Sequence, residues 1–302
     1  MNWRPETWAK LACGYTGLVW GLFWLPVRKL SEAGITGLWA NLMFYAVPFA
    51  IVLPVALWRR REIARGGLKL QALSFSVGVS LALYSLAILH TEVVRAMLLF
   101  YLTPFWSLIL AWAVLGEKIR LAPWLAMALA ALGLGIMLRA DAGVDLSFNA
   151  GDAIALGSGL LWAVAAVLLR ASPHTPAVDI WAMDFFWCAI AAVAMPAVAL
   201  GGLATSPPLA LYLAQLPWLV PISLVVVMSG VYFGMWGARQ LNPGIVGLLF
   251  MTELSAGAIT AALWAGERFG WREMTGIVLI TLAGMLDSLW DFVSARLATR
   301  RA

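Results

Sequence analysis

Residues 98–118 read "LLFYLTPFWSLILAWAVLGEK", and residues 248–268 read "LLFMTELSAGAITAALWAGER". Both stretches open on Leu-Leu-Phe, stay apolar for most of their length and close on Gly-Glu followed by a cation. An offset of 150 positions lays Leu98-Leu99-Phe100 on Leu248-Leu249-Phe250 and Gly116-Glu117 on Gly266-Glu267. One such stretch could arise by chance. Two, one in each half of a chain, mark a duplicated unit.

The rest of the chain repeats as well. At an offset of 142, Gly17, Leu18, Trp20 and Arg28 fall on Gly159, Leu160, Trp162 and Arg170, and Trp39-Ala40 falls on Trp181-Ala182. The two offsets differ by the length of one longer loop, the Pro-rich stretch near 201–215.

Composition says where such a chain folds. Of 302 residues, 63% are hydrophobic and 12% are charged. The mean hydropathy is +0.90. A soluble domain carries about 25% charged residues, so this chain cannot cover its surface with polar groups and must face lipid. A spanning helix needs about 20 mostly apolar residues. Lipid offers backbone groups no hydrogen bonds, so spans are helices or closed barrels, and long continuous apolar runs favour helices.

Ten spans are expected, at about 11–27, 35–57, 72–89, 94–115, 121–138, 153–169, 178–200, 216–238, 245–265 and 274–292. Clusters such as "WRRREIARGGLK" and "RADAGVDLSFNAGD" separate them, and no soluble domain is left over. The fold class is all-α integral membrane, with residues 1–140 and 141–302 as two five-helix repeats. Five is odd, so the second copy crosses the bilayer in the opposite sense. Inverted repeats of this kind are typical of secondary transporters. The first run ends in Arg28-Lys29 with no cleavage site, so it is expected to stay as a span and not to leave as a signal peptide.

The net charge of +5 sits in short loops, where it sets topology and gives no sign of nucleic-acid binding. One set of alternate loops, with both termini, holds 14 of the 20 Lys and Arg residues. The positive-inside rule then puts both termini in the cytoplasm. Cys13 and Cys188 both lie in apolar runs, which argues against a structural disulfide or metal site. The two histidines, His90 and His174, fall in loops, and no Gly-rich phosphate loop with Lys-Ser/Thr is present. No metal or other cofactor is expected. An enzyme is disfavoured, though one working with Asp and Glu alone is a competing reading.

Ten spans, a five-plus-five inverted repeat and a Pro-containing fourth span closing on "LGEK" resemble the drug/metabolite transporter superfamily, in its EamA-type branch. "GLVWGLFWLPVRKL" and "FYLTPFWSLILAWAVLGEKI" look most like aromatic amino-acid exporters of the YddG type. The resemblance implies export of small metabolites by alternating access from a central cavity. It departs at Pro104, since Leu254 stands at the matching place in the second repeat. Multidrug or other metabolite export on the same fold is the runner-up. A non-transporting membrane subunit is a third reading.

Seventeen tryptophans are the most unusual feature. Many lie near span ends, where an interfacial belt explains them. Trp20 and Trp162 lie mid-span, and the repeat pairs them. Packing would explain either one. Facing a central axis, the two would stack on an aromatic side chain and attract an ammonium. Tyr84 and Tyr101 would add hydroxyls to such a cavity, and Asn41 in span two an amide. Charges inside spans are costly and often functional. Glu253, near the middle of span nine, could hold a substrate ammonium, carry a coupling proton, or bond protonated to a neighbouring helix. Asp184 in span seven reads first as structural, with a contact to a substrate ammonium as the alternative. Pro48 and Pro104 permit kinks.

Glu117 and Glu267 have two readings. Each caps the next helix or pairs with Lys118 or Arg268 at the interface, or the two charges gate the path from opposite faces. The expected partners are an amino-acid substrate and the lipid bilayer, with a monomer as the expected unit.

Overall fold

The computed structural model describes residues 5–91, 96, 99–116, 121–137, 148–198, 206–265, 270–272, 274–283 and 286. Among these the regular elements are all helical: α1 (Pro5–Trp20), α2 (Trp24–Glu32), α3 (Gly37–Trp58), α4 (Arg60–His90), α5 (Thr103–Leu115), α6 (Leu121–Met137), α7 (Ala150–Arg170) and α8 (Ala177–Val198). Then come α9 (Leu209–Ala238), α10 (Pro243–Phe250), α11 (Thr252–Ala265) and α12 (Met274–Ala283).

Five of the described helices are long and apolar enough to cross a membrane. They lie within α3, α4, α7, α8 and α9, and match the expected second, third, sixth, seventh and eighth spans. Large apolar side chains such as Trp112, Val193 and Leu263 face outward, as lipid contact requires. The protein is a multi-pass membrane protein.

The expected first and ninth spans are not single helices. A turn at residues 21–23 divides α1 from α2, and Met251 divides α10 from α11. In the fourth, a turn at Tyr101-Leu102 precedes α5. Pro104 therefore does not kink a helix from inside. It stands second in α5, where a missing N–H costs nothing. Pro48 does lie inside a continuous helix, α3.

Glycine explains two corners. The charged stretch after α3 is helical, not an open loop, and Gly67 turns it at φ 56°, ψ −152°, a conformation only glycine holds readily. Gly116 ends α5 in the left-handed region at φ 66°. Its N–H bonds back to the Trp112 carbonyl at 3.2 Å. That is the physical reason for the Gly of "LGEK". Glu117, Lys118, Glu267 and Arg268 lie outside the described residues.

Polar contacts tie the helix ends into two faces. On one, Arg59 grips Asp179 at the start of α8 with two bonds, Nε to Oδ1 at 2.5 Å and Nη2 to Oδ2 at 3.0 Å. The Asp179 hydrogen bond moves the Arg59 guanidinium further above its ordinary value. Arg170 at the end of α7 donates to the Arg239 carbonyl at 3.1 Å, and Arg239 donates to the Thr175 carbonyl. At the other ends of α4 and α7, Asn149 and Asp152 form a capping box, and Thr91 donates to Asp152 at 2.9 Å. Lys29 stands 4.4 Å over the ring of Trp218, in the third turn of α9. Three of these cationic residues, Arg59, Arg170 and Arg239, fall in the loop set richer in Lys and Arg.

Candidate functional site

The helix breaks meet in the core, and aromatic rings fill the space between them. Trp20 ends α1 and Trp162 lies mid-way along α7. Their rings pack edge-to-face, with centroids 5.3 Å apart at 72°. Phe250 ends α10 and touches both, at 5.1 Å from Trp20 and 6.2 Å from Trp162. Phe100, just before the Tyr101-Leu102 turn, lies 6.4 Å from Trp162. These four rings are two repeat pairs, Trp20 with Trp162 and Phe100 with Phe250. Offset, tilted contacts of this kind suit the ring quadrupole.

The half-helices are set by one device used twice. Thr103 begins α5 and shares its hydroxyl proton between the Phe100 carbonyl at 2.5 Å and the Gly159 carbonyl at 3.2 Å. Thr252 begins α11 and does the same with Leu249 at 2.7 Å and Gly14 at 3.3 Å. Each threonine satisfies carbonyls that the break frees and pins its half-helix to α7 or α1. Glycine lets the backbones approach. A Cβ on Gly159 would lie 2.8 Å from the Phe100 carbonyl, and one on Gly17 would lie 2.9 Å from that of Phe250. The two threonines are 149 positions apart, not 150, because the second break is one residue shorter. By this local geometry Glu253 stands opposite Pro104 and not opposite Thr103.

Glu253 is the second residue of α11 and lies in its first turn. An anion there is favoured by the half-helix dipole. The Tyr84 and Tyr101 hydroxyls lie within electrostatic reach of its carboxylate, and the Tyr101 hydroxyl faces it. Neither the Tyr101 hydroxyl nor the buried Trp20 indole N–H has a hydrogen-bond partner of ordinary geometry. Tyr84 packs on Phe100 at 4.6 Å, and Phe100 on Tyr101 at 5.4 Å. On the other flank, Trp20 touches Phe23 at 6.0 Å, Phe23 touches Phe44 at 5.3 Å, and Phe44 touches Tyr45 at 5.4 Å.

Beside Trp162 and Phe250 opens a narrow apolar pocket, lined further by Val77, Leu169, Met235 and Val246. It runs from the rings toward the ends of α7 and α9, the face that carries Arg170 and Arg239. The turn at 21–23 and the start of α2 hold α11 from the other side. Trp24 Nε1 donates to Thr260 Oγ1 at 3.0 Å, and a Cβ on Gly21 would lie 2.7 Å from the Glu253 carbonyl.

The EamA-like transporter model matches residues 7–139 and matches again at 149–287. The chain belongs to the EamA-like transporter family. This EamA-like protein is 28% identical over 291 residues to an uncharacterized transporter of Archaeoglobus fulgidus, covering 95% of this chain and 98% of that one. It also shares its fold with a protein of known crystal structure, at a TM-score of 0.70 and 18% identity, over 96% of this chain and 98% of that one. It is a transporter and not an enzyme. Transport in this family moves a small molecule, so the central ring cluster is the natural place to seek its substrate.

Sequence reasoning named Trp20, Tyr84, Tyr101, Trp162 and Glu253, and the structure draws these five together. Asn41 sits half-buried in the second turn of α3, one turn before Tyr45. Glu117 and Glu267 cannot be placed against it, being outside the described residues. Phe100 and Phe250 were missed as site residues, although the offset of 150 already paired them. The part Thr103 and Thr252 play in setting the breaks is not legible in the sequence, because nothing in an apolar run announces a break.

Proposed function

We propose that this EamA-like transporter exports amino acids, aromatic or large apolar ones first, across a bacterial inner membrane by alternating access. Residues 1–140 and 141–302 act as inverted five-helix repeats, ten spans in all, with both termini in the cytoplasm. The observation that carries the reading is the ring group closed on one flank by Glu253. A substrate side chain slots among Trp20, Trp162, Phe100 and Phe250. Its ammonium meets the Glu253 carboxylate beside the Tyr84 and Tyr101 hydroxyls. An ammonium leaving water needs such an anion, since an unpaired buried charge costs several kcal/mol. Edge and face contacts with the rings would contribute about 0.5–1.5 kcal/mol each beyond burial.

The four rings close the centre here, so substrate entry requires them to part. The apolar pocket beside Trp162 supports entry from the face of Arg170 and Arg239, which the positive-inside rule makes cytoplasmic. Counterflow in proteoliposomes tests the reading. Labelled phenylalanine should exchange with internal phenylalanine or tryptophan, and glycine should compete poorly. Exchange of unrelated organic cations with no response to phenylalanine would favour multidrug export on the same site.

A further inference from the structure

Three carboxylates among the described residues are buried: Asp152 at 0% exposure, Asp179 at 2% and Asp184 at 1%. The fold satisfies two of them fully. Asp152 closes a capping box and accepts from Thr91, and Asp179 takes two bonds from Arg59. Asp184 is treated differently. It is the eighth residue of α8 and faces α4, and neither of its oxygens has a hydrogen-bond donor. Ser74 on α4 stands within reach of that carboxylate, its hydroxyl drawn to the Ile180 carbonyl by a long contact of 3.4 Å.

An ionised carboxylate so deeply buried and unpartnered costs more than a marginally stable fold can carry. In this conformation Asp184 must therefore hold something positive. The oxygens gathered there are those of Asp184, the Ser74 hydroxyl and the Ile180 carbonyl. They are hard donors with a single formal charge. A divalent ion would want more carboxylates, and no group of three or more metal-ligating side chains occurs among the described residues. We infer that Asp184 and Ser74 form a binding site for one monovalent cation, a proton or a sodium ion, apart from the aromatic site.

The packing gives the site a mechanical consequence. A Cβ on Gly78 would lie 2.6 Å from the Trp187 Cβ and 2.7 Å from the Cys188 nitrogen, so α4 and α8 touch backbone to backbone just past Asp184. When the cation leaves, the Ser74 hydroxyl can turn to donate to the carboxylate, and any further donor must be water that enters as α4 and α8 part. Occupancy of the site thus sets the α4–α8 contact. The other groups that face it are few. Cys188 lies one turn on along α8, and beyond it stands Tyr45 of α3, whose hydroxyl meets Ser85 at 3.3 Å. From α9, Tyr232 packs on Trp181, one turn before Asp184, and the nearest charged pair along α8 is Asp179 with Arg59.

Infrared difference spectroscopy on the full chain tests this without any substrate. The chain is purified in sodium-free buffer and labelled with carbon-13 aspartate. A protonated-carboxyl band should shift with the label, vanish as pH rises, and be absent from Asp184→Asn but present in Glu253→Gln. Ser74→Ala should move the pH at which it vanishes. If sodium chloride abolishes the band at constant pH and choline chloride does not, the ion is sodium. If only pH abolishes it, the cation is the proton. A wild-type chain without the band, or with a band that neither pH nor sodium moves, would overturn the site. Should Asp184→Asn fail to fold, Asp184→Glu decides instead: the band should persist but no longer shift with labelled aspartate, and a band that still shifts would overturn the site.

Discussion

The indoles of Trp20 and Trp162 meet edge-to-face at 5.3 Å, although 142 positions of sequence separate them. The contact joins the end of α1 to the middle of α7, and Phe250 braces both rings. Replacing either indole with alanine should weaken transport of phenylalanine or tryptophan more than that of a small amino acid. One such contact contributes about 0.5–1.5 kcal/mol, so the selective loss should be a few-fold to about tenfold. Counterflow with paired labelled substrates measures it. An equal loss for all substrates would assign the pair to folding.

The Gly17 contact makes a stability prediction. A methyl group there would run into Thr252 Oγ1 and the carbonyls of Leu249 and Phe250, two of them backbone atoms that cannot give way cheaply. Gly17→Ala should destabilise the chain by about 1–3 kcal/mol through overpacking. Gly14→Ala, on the same helix with nothing within 4 Å of the added carbon, is the control. Thermal unfolding in detergent should show a lower midpoint for the first and an unchanged or raised one for the second.

Much of this centre was legible in the sequence. The pairing of Trp20 with Trp162 came from one offset, and that of Phe100 with Phe250 from the other. Hydropathy located the five long helices because their apolar runs are uninterrupted. It could not see the breaks at 21–23, 101–102 and Met251, since the residues there are as apolar as their neighbours and only φ and ψ change. Glu253 therefore read as a mid-span charge, whereas it opens a half-helix. The stretch after α3 read as a loop because its charges masked a helix that turns at Gly67. Arg59 was counted for topology, but its partner Asp179 lies 120 positions away and no local signal links them. Asp184 read first as structural, because neither its depth nor the lack of a strong partner is marked in the sequence.

Glu253 can be tested by removing its charge while keeping its shape. If the carboxylate holds the substrate ammonium, Glu253→Gln should weaken exchange itself. If instead it carries a coupling proton, the mutant should exchange normally and lose its response to a pH gradient. Proteoliposomes loaded with phenylalanine, with and without an imposed gradient, separate the two. Wild-type behaviour in both assays would leave Glu253 as a packing residue.

Orientation can be read by labelling. Cys13 and Cys188 are buried, so the background with an impermeant thiol reagent should be low. A cysteine at Arg60 should be shielded in intact cells, and one at the exposed Phe148 should react. The reverse pattern would show that the positive-inside count fails for this chain.

Photolabelling asks most directly whether an aromatic amino acid occupies the ring group. An azide derivative of phenylalanine is irradiated with the full chain in liposomes, and the adducts are mapped by mass spectrometry. Adducts are expected on Trp20, Phe100, Trp162 or Phe250, or on Tyr84 and Tyr101 beside them, and excess phenylalanine should suppress them. Adducts confined to the lipid-facing surface, or unaffected by phenylalanine, would contradict an aromatic amino-acid site at the centre of this transporter.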